Sequence, residues 1–277
     1  MTAAPSALQF SVDGAENGGV DPEQTVVLVH GFPDSPALWA QTSAHLSARG
    51  YRVIRIALPG FEDDTSSPVS ITFDDTVDRL YATLSATGSL GATLVGHDWG
   101  AIFLYLLLRR YPDAAGKLVT LEVGAGPRSP ALALFVLVYH ALLNLAHWLG
   151  AGLGDRLMGW LCRRFLRPDY PHALLPKARH GWLYRQAWRE GGRDGAWPFY
   201  FRNGIDAWTP PPALPFLFLF GQDGPRALRF HTERWRREVT AHCPDSRSHA
   251  LPGGHWCLLE HPEAFHEALD TFLEPGA

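Results

Sequence analysis

Eight consecutive residues carry the sharpest chemical signal in this 277-residue chain: Leu94-Val95-Gly96-His97-Asp98-Trp99-Gly100-Ala101. A short apolar run, Ala92 to Val95, ends in Gly-His-Asp-Trp-Gly, and a leucine-rich helical stretch from Ile102 to Arg110 follows at once. Glycines on either side of one central residue permit a strained strand-to-helix turn that presents that side chain at the edge of a sheet. The usual occupant of such an elbow is serine, and here it is Asp98. A serine must lose a proton before it attacks. An aspartate is already ionised at neutral pH and can displace a leaving group from sp³ carbon directly. The positive end of the following helix should hold that carboxylate in its charged form. The bland alternative is a buried Gly-X-Asp-X-Gly turn without chemistry.

The elements that must position Asp98 follow from the patterning. Thr25 to Val29 is a β-branched run that predicts a fully buried strand, ending at His30-Gly31-Phe32-Pro33-Asp34-Ser35. A helix (37–48) closed by Gly50, a second buried strand (51–57) and the loop Leu58-Pro59-Gly60-Phe61 come next. Residues 62–70 are acidic and serine-rich and read as a surface loop. The segment 72–85 places Phe73, Val77, Leu80, Tyr81 and Leu84 on one helical face. After the elbow comes the strand-like Lys117 to Glu122. Strands alternating with helices predict an α/β fold with a mostly parallel central sheet flanked by helices. From Gly126 to about Pro212 the pattern changes to Trp-, Leu- and Arg-rich helical segments broken by Pro168, Pro171 and Pro176. After Pro210-Pro211-Pro212 the α/β pattern resumes: a strand at 216–220, a helix at 225–241, a strand at 246–251, the loop Gly253-Gly254-His255-Trp256 and a helix at 262–273. The expected plan is a core (1–126), an inserted all-helical cap or lid (127–212) and a return to the core (213–277).

Composition limits the functions on offer. Apolar residues make up 46% of the chain, enough for a sizeable core, and the net charge is −4 with no basic stripe, which argues against a nucleic-acid partner. Cys162, Cys243 and Cys257 are odd in number and lack C-x-x-C spacing, so reduced thiols and a cytoplasmic location are expected. Met1 to Phe10 has neither a charged n-region nor an apolar h-region, so no signal peptide is expected. Ala131 to Leu153 is long enough to span a bilayer, yet His140, Asn144, His147, Gly150 and Gly152 interrupt it. A buried helix pair lining an apolar pocket explains it better, and no firm membrane association is expected. The sequence carries no metal-ligand cluster, phosphate loop or dinucleotide fingerprint, so neither a metal nor a cofactor is expected. Monomer and homodimer both stay open.

Taken together, His30-Gly31-Phe32-Pro33, Gly96-His97-Asp98-Trp99-Gly100 and Gly253-Gly254-His255 resemble motifs of the α/β-hydrolase superfamily, in its aspartate-nucleophile branch of epoxide hydrolases and haloalkane dehalogenases. The resemblance runs in order over nearly the whole chain and implies the α/β-hydrolase fold with a helical cap. It implies Asp98 as nucleophile, His255 as base, and the backbone N–H groups of Phe32 and Trp99 as an oxyanion hole. His30 and His97 would hold loops. The acid that orients His255 stays open. Gly221-Gln222-Asp223-Gly224-Pro225 carries Asp223 one residue early relative to the family pattern, whereas Leu121-Glu122-Val123 resembles the arrangement of many haloalkane dehalogenases; Glu122 is preferred.

The cap must identify the leaving group. Epoxide hydrolases donate a proton from cap tyrosines, and Val138-Tyr139-His140 resembles the first such position. At the second, in Phe199-Tyr200-Phe201-Arg202-Asn203, Phe201 stands where the family has tyrosine and Tyr200 is adjacent. His147-Trp148 is reminiscent of the lid His and Trp of fluoroacetate dehalogenases. The expected function is hydrolysis of a small lipophilic epoxide by water through a covalent ester on Asp98, giving a vicinal diol. Two alternatives remain: a haloalkane or haloacid dehalogenase using the same aspartate, and a non-catalytic small-molecule receptor on the same scaffold.

Overall fold

The computed structural model describes residues 5–14, 21–62, 71–124, 130–164, 175–193, 214–223 and 230–274. Seven strands form one sheet: β1 (Phe10–Asp13), β2 (Thr25–Val29), β3 (Arg52–Ile56), β4 (Thr93–His97), β5 (Lys117–Leu121), β6 (Phe216–Gly221) and β7 (Arg247–Leu251). Their order is β1-β3-β2-β4-β5-β6-β7. Only β1 runs antiparallel to its neighbour β3, and every other pairing is parallel. The β-branched and leucine-rich run of β2 is buried along its whole length, as are β4 and β6, because helices cover both faces.

One face is covered by α2 (Phe73–Ala86), α3 (Trp99–Arg110) and α7 (Glu233–His242), whose Phe73, Val77, Leu80, Phe103, Leu107 and Trp235 share a core with Val27, Val29, Leu94 and Leu118. The other face packs α1 (Ala40–Ala48) and α9 (Pro262–Leu273) through Leu46, Phe265 and Leu269 against Val26, Leu28, Val95 and Val119. Each strand therefore sends alternate side chains into two separate cores. α2 starts at a capping box, Thr72 with Asp75, which satisfies otherwise orphaned N–H groups. Between β5 and β6 the described residues are helical: α4 (Pro130–Leu149), α5 (Leu153–Arg163), a 3₁₀ turn (Ala178–Gly181) and α6 (Trp182–Arg193).

Consecutive strands depart in opposite directions from β2: β3 lies on one side of it and β4 on the other. In open α/β sheets the crevice at the carboxyl ends of such a pair is where ligands bind. The loop His30-Gly31-Phe32 leaves β2 there, and Asp98 leaves β4 beside it. Two local expectations are revised. The loop that holds His255 runs on into a short helix, α8 (Cys257–Glu260), and α7 begins only at Glu233, after residues 224–229, which lie outside the described residues.

Candidate active site

Among the described residues only two non-glycines have a left-handed backbone, Asp98 (φ 53°) and Glu122 (φ 71°), and both are acids at the ends of adjacent strands. A non-glycine in such a conformation costs on the order of 1–3 kcal/mol and persists only where its surroundings hold it. The sequence around Asp98 supplies that hold. A Cβ on Gly96 would sit 2.8 Å from the N of Ala101, and one on Gly100 would sit 2.2 Å from the carbonyl of Val29. The start of α3 is thus pressed against the end of β2 as closely as two backbones allow. A Cβ on Gly31 would meet Asp98 Oδ1 at 2.6 Å, so glycine is also what lets the β2 loop close over the carboxylate.

Asp98 caps α3, and its Oδ1 accepts the Phe32 N–H at 2.8 Å. Its Oδ2 lies 3.6 Å from His255 Nε2, while His255 Nδ1 lies 3.5 Å from Glu122 Oε2. These are ion-pair separations, and they put one imidazole between two buried carboxylates. Burial alone would raise the pKa of Asp98; the hydrogen bond and charge of His255, the nearby His97 and the Phe32 N–H outweigh it and bring the value below the usual carboxylate range. Burial alone would lower the pKa of His255; Asp98 and Glu122 overturn that and push it up to about 10. The two acids therefore favour the protonated form of the imidazole that lies between them.

Each member is held from behind. Glu122 Oε1 accepts the Gly221 N–H, and its own N–H donates to Leu219 O at 2.9 Å, which ties the end of β5 to β6. Tyr105, from α3, donates its hydroxyl to Val123 O at 2.9 Å and so fixes the same strand end. His97 donates Nε2–H to the carbonyl of His255 at 2.8 Å. His30 donates Nδ1–H to Gly31 O at 2.9 Å and accepts the Leu58 N–H on Nε2 at 3.1 Å. Burial lowers the pKa of both His30 and His97 to about 4, so each is neutral, in keeping with a loop-holding role. Trp256 donates its indole N–H to the buried Asp34 at 2.9 Å, which joins the His255 loop to the β2 loop. Asp223 is not at the imidazole: its Oδ2 accepts the Gly253 N–H at 2.9 Å and it is exposed. It shapes the loop that carries His255, and Glu122 is the acid the structure brings to the ring.

The helical stretch between β5 and β6 supplies an aromatic wall. Tyr139 lies on the inward face of α4, and burial together with the Cys162 thiol and the Asp98 charge raises its pKa well above the ordinary phenol value. The residue that sequence reasoning missed is Tyr184 on α6. Its buried ring stands edge-on to Phe32 at 5.0 Å and to Trp99 at 5.5 Å; Phe32 donates its N–H to the Asp98 carboxylate and Trp99 follows Asp98 in the chain. It also touches His140 at 4.6 Å and Tyr139 at 6.2 Å. His140, likewise unforeseen, is buried and neutral, since burial lowers its pKa to about 3 despite the Asp98 charge. Trp182 donates its indole N–H to Pro59 O at 2.6 Å, which fastens α6 to the loop after β3.

The structure places two of the expected wall residues away from the elbow. His147 donates Nδ1–H to Ala178 O at 2.9 Å, a bond within the helical stretch, because its helical position faces the 3₁₀ turn. Trp148 is 74% exposed and points to the outside of α4, so the structure does not bring it to Asp98. Tyr200 and Phe201 lie outside the described residues.

Comparison with known proteins agrees with the fold. A model described as "Alpha/beta hydrolase family" matches residues 26–268. Over 109 residues the chain is 40% identical to epoxide hydrolase 3 of Siraitia grosvenorii, a match covering 39% of this chain and 34% of that protein. The chain thus spans about a third of the length of that curated relative. It is 22% identical to the AB hydrolase superfamily protein YfhM of Bacillus subtilis over 96% of this chain and 94% of that one. The solved haloalkane dehalogenase DatA of Agrobacterium tumefaciens superposes with a TM-score of 0.68 at 20% identity, covering 96% of this chain and 92% of that one.

Proposed function

The chain belongs to the alpha/beta hydrolase family, and from that premise we propose that it hydrolyses a lipophilic epoxide to a vicinal diol through a covalent ester on Asp98. The observation that carries the reading is the elbow carboxyl group of Asp98 held between the Phe32 N–H and the His255 imidazole, which Glu122 backs. The identity to epoxide hydrolase 3 of Siraitia grosvenorii supports the choice of leaving group. So does the wall: in this reading the helices between β5 and β6 form a lid, and its Tyr139, close enough to feel the Asp98 charge, and Tyr184, packed on Trp99, supply the hydroxyl donors, a role the sequence assigns to Tyr139 and Tyr200.

In the first step an Asp98 oxygen bonds to an epoxide carbon and the carbon–oxygen bond of the strained ring breaks. The opened oxygen takes a proton through the tyrosines, at the expense of the proton that the resting imidazolium holds. Ester formation removes the Asp98 charge, one of the two charges that keep the pKa of His255 high. His255 is left neutral when a base is needed. It then takes a proton from water, and the hydroxide adds to the Asp98 ester carbonyl. The N–H groups of Phe32 and Trp99 receive the resulting oxyanion; one such donor is worth about 3 kcal/mol. Collapse breaks the ester bond, the leaving alkoxide takes the proton of the added hydroxyl, and carboxylate and imidazolium are restored.

Intact-protein mass of the His255→Gln variant, after brief pulses with styrene oxide and with 1-bromobutane, tests this. The epoxide should leave a stable adduct on Asp98. An adduct from the bromide alone would make the protein a dehalogenase, and no adduct from either would favour a receptor.

A further inference from the structure

α4 is 20 residues long and contains no Asp, Glu, Lys or Arg. Its inward face buries Val136, His140, Leu143 and Ala146. On the opposite side, Leu134, Val138, Ala141, Leu145 and Trp148 are all exposed. Their spacing of four, three, four and three residues keeps them within about 80° of arc at 100° per residue, so they form one straight apolar stripe. α5 continues it. Leu153 and Trp160 are exposed on that helix, and the same arc carries exposed Arg156, Arg163 and Arg164. Trp148 and Trp160 are 74% and 54% exposed, which is uncommon for the largest apolar side chain unless something covers it.

The charge around the stripe identifies the cover. The chain as a whole carries a net charge of −4, yet from residue 130 to 164 the only acid is Asp155, and it is taken up by the Ala178 N–H at 2.7 Å. Among the described residues of α4 and α5 and the turn that follows, 130–164, the exposed charges are all guanidinium groups. An apolar strip with indoles and arginines beside it fits an anionic lipid surface, where side chains enter the acyl boundary and arginines meet headgroup phosphates. A second copy of the chain would instead bring like charges together at the border. Among the described residues no helix is long and apolar enough to cross a membrane, and the packed inner face of α4 is consistent with a helix that lies on a bilayer rather than in it.

We propose that the outer face of α4 and α5 docks reversibly on anionic bilayers. The proposal departs from the expectation of no firm membrane association. Resting on the epoxide reading, it adds a source for the substrate: the helix that meets the lipid on one side offers Tyr139 to the elbow on the other, so a membrane-dissolved epoxide would be taken from the bilayer.

The test is co-sedimentation of the full chain, without substrate, with vesicles of phosphatidylcholine and phosphatidylglycerol in equal parts and with phosphatidylcholine alone. Binding should require the anionic lipid and weaken as salt is added. Arg156→Gln, Arg163→Gln and Arg164→Gln should each weaken it about fivefold. Trp148→Ser with Trp160→Ser should abolish it. These positions are exposed, and an unchanged circular dichroism spectrum would show that each variant folds. Absence of binding, equal binding to both vesicles, or binding indifferent to these substitutions would overturn the proposal. So would a dimer in sedimentation equilibrium that Trp148→Ser dissociates, because a second copy would then cover the stripe. None of these readouts depends on turnover, so a failed Asp98 adduct leaves the docking result standing.

Discussion

The floor and the wall of the site are built on different principles. The floor consists of strand ends: Asp98 after β4, Glu122 after β5, the Phe32 N–H after β2 and His255 after β7. Each of its two acids is held by a backbone N–H, Asp98 by that of Phe32 and Glu122 by that of Gly221, and glycines at 31, 96 and 100 mark where no side chain would fit. The wall is side chains on helices, chiefly Tyr139, His140 and Tyr184, placed by aromatic packing. A floor made this way tolerates almost nothing, whereas a wall made this way can be repacked to suit a substrate. On the proposed reading the chemistry belongs to the floor and the choice of leaving group to the wall.

That contrast can be broken at its strong end first. Asp98→Asn should lower kcat by about ten-thousandfold or more while the protein still folds, as stopped-flow turnover and circular dichroism would register. Glu122→Gln should slow ester hydrolysis by roughly a hundredfold or more, because an amide can donate to His255 Nδ1 and force the wrong tautomer. Asp223→Asn, which touches only the Gly253 backbone, should cost under about tenfold. If the two acids behaved alike, the assignment of Glu122 would fail. Tyr184→Phe sharpens the comparison from the wall's side: adduct formation should slow by about tenfold to a hundredfold with ester hydrolysis unchanged, in pre-steady-state kinetics. Gly100→Ala should destabilise the fold by about 2–3 kcal/mol in urea unfolding, since its Cβ would press on Val29 O.

The smallest effect expected is on pH dependence. His255 has a raised pKa, so its contribution to stability is complete below the unfolded value of about 6.5 and is lost as pH rises towards about 10. Asp98 has a lowered pKa, so its contribution is complete above the unfolded value of about 3.9 and is lost as pH falls through the lower folded one. Urea unfolding should show both slopes in the wild type and lose the alkaline one in His255→Gln. The kcat/KM profile should be a plateau whose alkaline limb lies near pH 10, well above that of an ordinary histidine.

The same contrast explains what was legible in the sequence. Asp98, His255 and the Phe32 loop could be read because backbone constraint writes itself as glycine spacing, and the alternation of strands and helices gave away the parallel sheet around them. The sequence preferred Glu122 to Asp223 without separating them, since both end strands in plausible places and the distance to one ring is what tells them apart. Tyr184 carries no local mark: Trp-Leu-Tyr at 182–184 is any buried helix until α6 is docked on Pro59. Trp148 misled for the opposite reason. A large indole beside a histidine looks like a pocket, but helical position alone turns it outward.

The covalent ester is the central claim, and a single turnover in heavy-oxygen water tests it most directly. With enzyme in excess over styrene oxide, the label should enter the Asp98 carboxylate, and the first diol formed should carry an unlabelled oxygen taken from that side chain. Label appearing at once in the diol, with Asp98 unlabelled, would mean that water attacks the epoxide itself and would contradict the account.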